Sequence, residues 1–496
     1  MNIIKLFNEE INNKITWVIF IIILSLFFLV QTTTRLHTFE ITDEYSYYYE
    51  AKLMAEGAVP YKDFIFVHPP LRLYLLFLIG KLFGFQVATL KLLPLFTVVI
   101  GVFFIFKLLK EFFGNFEALI GTIIFLSSGD ISWWSTISVG IMEALSFSVV
   151  GMYFLLKKKY LLGGFIFGLA VLIQTYSFPI FAALLLYTSF EFEGKNLKFK
   201  YKRAYKTVLG FLIIFISVII LFTIISNNTY IKQVYITHFL KSPYDKTASD
   251  YGTKIDSFLY NYNSNKLLFL LPIFFLFTKK RKELIPFLLV TLFLVLFLFS
   301  LKKLIFYYFF MTYPILAIVG SASLTGFFKK FKFGSSIMLI LVLLLLTKLF
   351  LMPSLSSTYN KYTSPTKPIE EWDTLNIIAS HIKNSTSEEE LIYGAGDLFI
   401  PVIALLSDRK IAGNYVELRE EHFKLGLLDL DVMINDLQNL IKQRKLKYLI
   451  YYQWYGRSTY IDSHPAYIKN VLGQCDDLMG REIKNRQDRF VILQCY

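Results

Sequence analysis

The stretch Asp43-Glu44-Tyr45, followed by Glu56-Gly57-Ala58-Val59-Pro60-Tyr61 and by His68-Pro69-Pro70-Leu71, comes directly after the first long apolar run of the chain. It places two adjacent carboxylates where a predicted membrane span ends and water begins. Charged groups close to hydrocarbon are costly to keep, so such residues are usually functional. The stretch therefore predicts a site at the outer surface of a membrane.

The composition predicts a protein that crosses the membrane many times. Of 496 residues, 55% are hydrophobic, which is more apolar surface than a soluble core can bury. Apolar runs such as residues 17–30 and 337–350 recur along most of the chain. No small-residue cleavage site follows the first run, so we interpret it as a retained span and not as a signal peptide.

The net charge of +14 is unevenly distributed. From Thr358 onward there are 17 basic and 19 acidic residues, whereas the preceding residues carry 34 basic and 18 acidic ones. The basic excess therefore belongs to the short loops between apolar runs, as in membrane proteins whose cytoplasmic loops are positive. This distribution argues against a nucleic-acid partner.

The apolar runs and basic clusters fit eleven spans, with the N-terminus in the cytoplasm. Nearly every basic cluster then falls on the inner side, and only Lys302-Lys303 falls outside. Residues 71–83 are too few for a span, which needs roughly 20 residues. We predict that they and residues 43–57 form helices at the outer interface. The transmembrane domain is predicted to comprise residues 1–353, with outer loop 37–70 carrying the site.

Residues 354–496 are predicted to form a soluble α/β domain on the outer side. The predicted helices are 372–383, 397–406, 431–445 and 465–472, and the predicted strands are 390–393, 447–452 and 489–495. Both cysteines, Cys475 and Cys495, lie in this domain, and the sequence leaves open whether they form a disulfide or two free thiols.

Asp43 has two interpretations. As a helix N-cap it would satisfy free backbone N–H groups at the start of an amphipathic helix. As a general base it could deprotonate an acceptor hydroxyl at the boundary between lipid and water. The adjacent Glu44 is a second catalytic candidate. Glu143 is a third, because it opens a span after an outer loop and a lone carboxylate there needs a partner.

The first-loop pattern, Asp43-Glu44-Tyr45, Ala51, Gly57, Pro60-Tyr61-Lys62-Asp63 and His68-Pro69-Pro70-Leu71, resembles that of GT-C class membrane glycosyltransferases. It is most similar to the branch of protein O-mannosyltransferases and lipid A aminoarabinose transferases. The resemblance implies a GT-C fold and an inverting sugar transfer from a polyprenyl-phosphate donor, with Asp43 as the base. It also implies a glycan, lipid or protein acceptor at the outer face of the cell membrane.

Cations near the leaving phosphate would stabilise the charge that develops on it. The candidates for binding the donor phosphate or lipid are His68, Arg72, Lys303, Tyr307 and Tyr308. Each also has a plain structural interpretation: Arg72 and Lys303 could be interfacial residues, and His68 a packed loop histidine. Tyr307-Tyr308 leads to Tyr313-Pro314, similar to an aromatic–proline stretch of the family.

The chain departs from the family pattern at two places. His68-Pro69-Pro70 stands where the aminoarabinose transferase has Glu-Lys-Pro, and Gln174-Thr175 stands where many relatives have Thr-Lys. The phosphate contacts of those lysines therefore cannot be transferred to this chain. The outer loops contain no Asp-x-Asp motif, so we expect no obligate metal, although ligands from distant loops leave a divalent cation open.

Two other functions compete with sugar transfer. A flippase or transporter of lipid-linked sugars would need an inverted repeat and charged residues deep in the spans, and the sequence has neither pattern. An inactive relative would act as a scaffold or sensor through its C-terminal domain. The retained Asp43 argues against that alternative.

Overall fold

The computed structural model describes residues 13–36, 43–193, 196–237, 251–278, 281–329, 337–338, 340–349, 368–394, 399–416, 418–452, 469–477 and 490–496. Helices dominate up to residue 349. In chain order they are α1 (Asn13–Thr34), α2 (Glu44–Ala55), α3 (Leu71–Phe83), α4 (Val87–Leu90), α5 (Leu92–Phe112), α6 (Asn115–Leu126), α7 (Gly129–Trp134), α8 (Ile141–Leu156), α9 (Tyr160–Ile173), α10 (Phe178–Ser189), α11 (Tyr201–Ile225), α12 (Thr229–Ile231), α13 (Tyr251–Ser264), α14 (Lys266–Leu270), α15 (Arg281–Ser300), α16 (Tyr313–Phe328) and α17 (Ile340–Leu349).

Five helical segments in the described part of the chain are long and apolar enough to cross a membrane. They are Asn13–Thr34, Val87–Phe112, Tyr201–Ile225, Arg281–Ser300 and Phe306–Phe328. Five shorter apolar helices accompany them, and every one of the eleven predicted spans coincides with helical residues. The predicted polytopic helical architecture thus agrees with the helices that form.

The two helices predicted for the outer interface are present. α3 covers Leu71–Phe83, the range that the short apolar run predicts, and it ends at Gly84, whose φ of +94° favours glycine. α2 begins after Asp43 and ends at Ala55, just before Gly57. Their position at the surface of the membrane stays a prediction.

The C-terminal residues form helices around a mixed sheet. The helices are α18 (Pro368–Ser385), α19 (Ile400–Ser407), α20 (Glu420–Lys424) and α21 (Leu430–Lys442). The strands are β3 (Leu391–Tyr393), β4 (Lys410–Ile411), β5 (Leu446–Tyr452), β6 (Asp476–Asp477) and β7 (Phe490–Gln494), in the order β4-β3-β5-β7-β6. β3 runs parallel to β4 and β5, and β7 runs antiparallel to β5 and β6.

A disulfide joins Cys475 to Cys495, which decides the alternative that the sequence left open. The predicted strands at 390–393, 447–452 and 489–495 match β3, β5 and β7 within one residue or two. The first half of the predicted helix 465–472 lies outside the described residues. The sequence did not predict the short edge strands β4 and β6, which carry too few residues to show a period.

Two further elements were not predicted. The basic loop after α10 contains a β-hairpin, β1 (Phe190–Glu193) paired with β2 (Asn196–Phe199). The outer loop predicted for residues 227–265 contains α12 and α13. Both elements were hidden because charged and polar residues weaken the hydrophobic pattern from which helices and strands are predicted.

The chain forms two compact units. Unit 1 comprises residues 1–37, 91–218 and 247–364, and unit 2 comprises residues 38–90, 219–246 and 365–496. In unit 1, α9 and α11 approach closely at glycines: a Cβ on Gly164 would lie 2.0 Å from the carbonyl oxygen of Thr207, and one on Gly210 would lie 2.0 Å from that of Leu161. Small residues of this kind allow membrane helices to pack with their backbones in contact.

Candidate active site

Asp43 stands at the N-cap position of α2, but its carboxylate caps no backbone N–H group. The side chain keeps 38% of its surface exposed, and its Oδ2 lies 3.4 Å from Nη2 of Arg419. Asp43 therefore occupies the N-cap position that the sequence suggested, but its side chain does not form the capping hydrogen bond. A carboxylate that is accessible, and that lies beside a cation, can accept a proton or orient a hydroxyl group.

Glu44 is placed differently from Asp43, although the two residues are adjacent. Its side chain is fully buried, and its Oε2 accepts a hydrogen bond of 2.8 Å from the hydroxyl of Tyr48, one turn along α2. Burial keeps this carboxylate away from solvent. The arrangement suits an anchor for the first turn of α2 better than a group that touches a substrate.

Tyr47 connects two of the predicted donor-binding residues. Its hydroxyl lies 2.9 Å from Nε2 of His68, and its ring lies 3.7 Å from the guanidinium carbon of Arg72. Tyr47 follows Asp43 by four residues, so the two side chains share one face of α2. The structure thus brings His68 and Arg72 together through Tyr47, on the helix face that begins at Asp43.

The guanidinium group of Arg72 is fully buried. Within the described residues, none of its three nitrogens has a hydrogen-bond acceptor. The guanidinium carbon lies 3.7 Å from the centre of the Tyr47 ring and 6.0 Å from that of Phe66. A buried charge without an acceptor is strongly unfavourable unless an anion completes the site. A planar, five-donor group of this kind matches a phosphate.

The outer loop that carries His68 is fixed by buried hydrogen bonds. The hydroxyl of Tyr61 donates to the carbonyl oxygen of His68 at 2.7 Å. The side chain of Gln233 donates to the carbonyl oxygen of Tyr61 at 2.9 Å and accepts from the N–H of Phe66 at 3.0 Å. Burial raises the pKa of Tyr61 well above its ordinary value, so its hydroxyl remains a donor.

The C-terminal residues of unit 2 contact α2 along its length. Lys52 forms an ion pair with Asp408, and the backbone N–H of Ile411 donates to the hydroxyl of Tyr49 at 2.6 Å. The hydrogen bond from Lys52 holds the pKa of Asp408 below its usual range, against a smaller opposing effect of burial. Burial raises the pKa of Tyr49. These contacts give α2 a fixed position next to Arg419.

Glu143 lies in unit 1, in the first turn of α8. It is fully buried, and the hydroxyl of Ser138 donates to its Oε1 at 2.5 Å. Gly140, whose φ of +88° favours glycine, precedes the helix and turns the chain between these two residues. The predicted need of this carboxylate for a partner is thus met by a neighbouring hydroxyl group.

Lys303, Tyr307 and Tyr308 also lie in unit 1. Lys303 is half-buried in the turn after α15. The rings of the two tyrosines pack on other aromatic side chains, with centroid distances of 5.0 Å from Tyr307 to Trp134 and 4.2 Å from Tyr308 to Tyr176. Their predicted role in donor binding stays a prediction.

A buried polar cluster in unit 1 was not predicted. The hydroxyl of Tyr313 lies 2.8 Å from Oδ2 of Asp130 and 2.6 Å from Oδ1 of Asn261, and Asn265 donates to both Asp130 and Tyr313. Ser128 donates to Asn265 at 2.8 Å. These bonds join α7 to α13, α14 and α16. Because members of the cluster satisfy one another, we interpret it as a structural network.

In the part of the chain that the structure describes, no three His, Cys, Asp or Glu side chains converge as metal ligands would. Asp43 and Glu44 are adjacent in sequence, but their side chains have different environments. The described residues thus provide an acidic and cationic pair, Asp43 and Arg419, and a buried cation, Arg72.

The comparisons with known proteins agree with this architecture. Residues 67–221 match the family model of dolichyl-phosphate-mannose-protein mannosyltransferases. The fold is similar to ArnT from Cupriavidus metallidurans, solved with undecaprenyl phosphate (TM-score 0.69, 12% identity, 97% of this chain and 98% of that chain) and in the apo state (TM-score 0.68, 12% identity, with the same coverage). It is also similar to the apo oligosaccharyltransferase of Archaeoglobus fulgidus (TM-score 0.56, 12% identity, 88% of this chain and 70% of that chain). No curated protein sequence matches the chain.

These comparisons confirm the predicted GT-C fold, since nearly the whole chain superposes on the solved ArnT structures. The chain is accordingly a multi-pass membrane protein.

The sequence also pointed to Asp43, His68 and Arg72, which lie in one unit. It missed Tyr47 and Arg419. Tyr47 could have been found from its spacing of four residues from Asp43, whereas Arg419 is separated from Asp43 by 376 residues and has no local signal.

Proposed function

We propose that this chain is a glycosyltransferase that moves a sugar from a polyprenyl-phosphate donor to an acceptor at the outer face of the cell membrane. The acceptor is a glycan, a lipid or a protein, and the donor lipid is of the dolichyl or undecaprenyl type. The N-terminus lies in the cytoplasm and the C-terminal domain outside. The observation that carries the proposal is the fully buried Arg72, whose guanidinium lacks an acceptor among the described residues and stacks on Tyr47, on the helix face that begins at Asp43.

In the proposed reaction, Asp43 takes the proton of the acceptor hydroxyl group. The acceptor oxygen forms a bond to the anomeric carbon while the bond from that carbon to the phosphate oxygen breaks. Attack opposite to the leaving phosphate inverts the anomeric configuration. A positioned carboxylate of this kind contributes about 10²–10⁴-fold to a rate.

The leaving polyprenyl phosphate gains negative charge as the bond breaks, so a cation already in place stabilises the transition state. Arg72 supplies this charge without reorganisation, because its guanidinium is buried and stacks on the ring of Tyr47. His68, hydrogen-bonded to Tyr47, is the second candidate on this side of the site. Lys303, Tyr307, Tyr308 and Glu143 remain candidates from unit 1.

The first test compares two variants of the outer loop in membranes that contain radiolabelled polyprenyl-phosphate hexose. Asp43→Asn removes the proposed base and should reduce transfer by at least about 10²-fold. Asp63→Asn is the matched control, because Asp63 lies in the same loop and, among the described residues, its carboxylate accepts a hydrogen bond of 2.8 Å from the N–H of Val59. It should retain activity, and transfer should persist with a metal chelator.

Equal transfer by wild type and Asp43→Asn would remove Asp43 as the base. Absence of transfer by the wild type with every donor sugar would contradict the proposal as a whole. Movement of labelled donor across the bilayer without transfer would then favour the flippase alternative. If the folded protein neither transfers the sugar nor moves the donor across the bilayer, the alternative of an inactive relative would be favoured.

A further inference from the structure

The β-hairpin between α10 and α11 has one apolar face and one charged face. In its antiparallel register Phe190 pairs with Phe199, and Glu191 pairs with Lys198. Directly paired residues project to the same side of a two-stranded sheet, and neighbours along a strand project to opposite sides. The rings of Phe190 and Phe199 lie 5.2 Å apart, and Leu197 shares their side.

The charged side chains of the hairpin form ion pairs with one another and with the start of α11. Lys198 pairs with Glu193 at 2.5 Å, and Arg203 pairs with Glu191 at 2.7 Å. Lys200 lies between the two carboxylates and pairs with both. These ion pairs order the charged side chains of the hairpin and of the start of α11, and the basic members outnumber the acidic ones by three to two.

The apolar face is exposed in the chain by itself. Leu197 keeps 54% of its surface accessible, Phe199 keeps 56%, and Tyr201 at the start of α11 keeps 63%. An isolated two-stranded hairpin is at best marginally stable in water. A covering surface for this face would therefore stabilise the hairpin.

The chain itself indicates what that surface is. β2 ends at Phe199, and α11, which is long and apolar enough to cross a membrane, begins at Tyr201. The hairpin therefore cannot lie far from the membrane surface. Residues 190–206 carry six basic residues against two acidic ones, the charge that complements an anionic leaflet.

We propose that the hairpin is a membrane-surface anchor, which places the apolar face of Phe190, Leu197 and Phe199 among the lipids and its basic residues against anionic phospholipid headgroups. Tyr201 and Tyr205, both exposed, lie at the interface where aromatic residues of spans collect. The anchor fixes the entry of α11. The proposal is independent of the activity proposed above.

The test uses single cysteines on opposite faces of the same strand. The two native cysteines form a disulfide, so a new thiol in the oxidised full-length protein can be labelled alone. Leu197→Cys and its control Lys198→Cys are labelled with nitrobenzoxadiazole and placed in phosphatidylcholine nanodiscs, with or without phosphatidylglycerol. Quenching is measured with doxyl-labelled lipid and with aqueous iodide.

At position 197 we expect strong quenching by the doxyl lipid and little by iodide, and at position 198 the reverse. Phosphatidylglycerol should shift the emission at 197 further to the blue, and salt should reverse this shift. A Phe199→Cys variant should repeat the behaviour of Leu197→Cys, which guards against a local effect of one substitution.

Equal iodide quenching at 197 and 198 would overturn the proposal, because both faces would then be in water. Protection of 197 from both quenchers would also overturn it, because another protein surface, such as a second copy of this chain, would then cover the apolar face. An emission at 197 that does not respond to phosphatidylglycerol would overturn the part of the proposal that concerns anionic headgroups.

Discussion

The guanidinium carbon of Arg72 lies 3.7 Å from the centre of the Tyr47 ring. The same tyrosine reaches His68 through its hydroxyl, at 2.9 Å from Nε2. The side chain of Tyr47 therefore contacts the buried guanidinium with its ring face and the imidazole with its hydroxyl group. Removing the two contacts separately shows what each one contributes.

Tyr47→Phe retains the ring under Arg72 and removes the hydrogen bond to His68. A hydrogen bond contributes about 0.5–1.5 kcal/mol, so we expect transfer to fall roughly 3–10-fold. Tyr47→Ala also removes the desolvated cation–π contact, worth about 2 kcal/mol or more, and should cost roughly a further 30-fold. Steady-state transfer rates for the two variants measure these contributions. Equal losses in both would mean that the ring face has no role in holding Arg72.

Arg72→Met should separate stability from donor binding. Replacing a buried cation that lacks a described acceptor by an apolar side chain removes a desolvation cost, so the melting temperature without ligand should stay the same or rise. Added polyprenyl phosphate should raise the melting temperature of the wild type and raise that of the variant much less. Thermal melts of the purified protein with and without this ligand measure both effects.

Lys81→Met is the control for Arg72→Met. It removes a cation from the same helix, but the Lys81 side chain is exposed, and its ammonium donates to the carbonyl oxygen of Ala55 at 3.4 Å. This variant should respond to the ligand as the wild type does. A similar ligand response in Arg72→Met would exclude Arg72 as the phosphate-binding residue.

The ion pair of Lys52 and Asp408 should make the stability of unit 2 depend on pH. The pKa of Asp408 is lower in the folded protein than its unfolded value of about 3.9, chiefly because of the hydrogen bond from Lys52. The pair therefore stabilises the folded state above the unfolded pKa, and this contribution is lost as the pH falls through the lower folded pKa. The effect should be small and weakened by salt, because Asp408 is 62% exposed.

Asp408→Asn tests this dependence, since asparagine tolerates the left-handed backbone that Asp408 adopts at φ +56°. The difference in melting temperature between wild type and variant should be constant near neutral pH and should decrease on acidification below roughly pH 4. In a Lys52→Met background the same substitution should show a smaller change, because only the weaker attraction of Lys383 and Arg409 then lowers the pKa of Asp408. A melting-temperature difference that grows on acidification would contradict a lowered pKa of Asp408 in the folded protein.

The close glycine contacts between α9 and α11 should tolerate no side chain. In Gly210→Leu the new Cβ would meet the carbonyl oxygen of Leu161, so the helices must separate, at a cost of about 1–3 kcal/mol or more. Gly129→Ala at the start of α7 is the control, because no atom lies within 4 Å of a Cβ there. Melting temperatures in detergent should fall only for the first variant. Equal melting temperatures for Gly210→Leu and Gly129→Ala would show that α9 and α11 are not in backbone contact.

Much of the fold could be predicted from the sequence because its signals are local. The run at residues 71–83 is too short for a span, and α3 has these bounds. The periodicity of residues 447–452 predicts a strand, and β5 is present there. The hairpin of β1 and β2 was missed, because charged residues alternate with its apolar ones in a loop of high positive charge.

For the candidate site, the sequence identified candidate side chains but not how they are arranged in space. Asp43, His68 and Arg72 were selected from the motif of the first outer loop. Glu44 was also selected as catalytic, yet its carboxylate is buried against Tyr48. The sequence could not separate the two neighbouring carboxylates, because the rotation of α2 against its surroundings decides which one faces solvent.

The sequence by itself determined the membrane class, the helical segments, the α/β character of the C-terminal residues and the acidic motif, because these depend on composition and on patterns within about 20 residues. Only the tertiary structure decided that Tyr47 lies against Arg72 and that Arg419 lies 3.4 Å from Asp43. Such contacts join residues far apart in the chain. They form only when packing of buried surfaces has brought these segments together, and no local pattern encodes that packing.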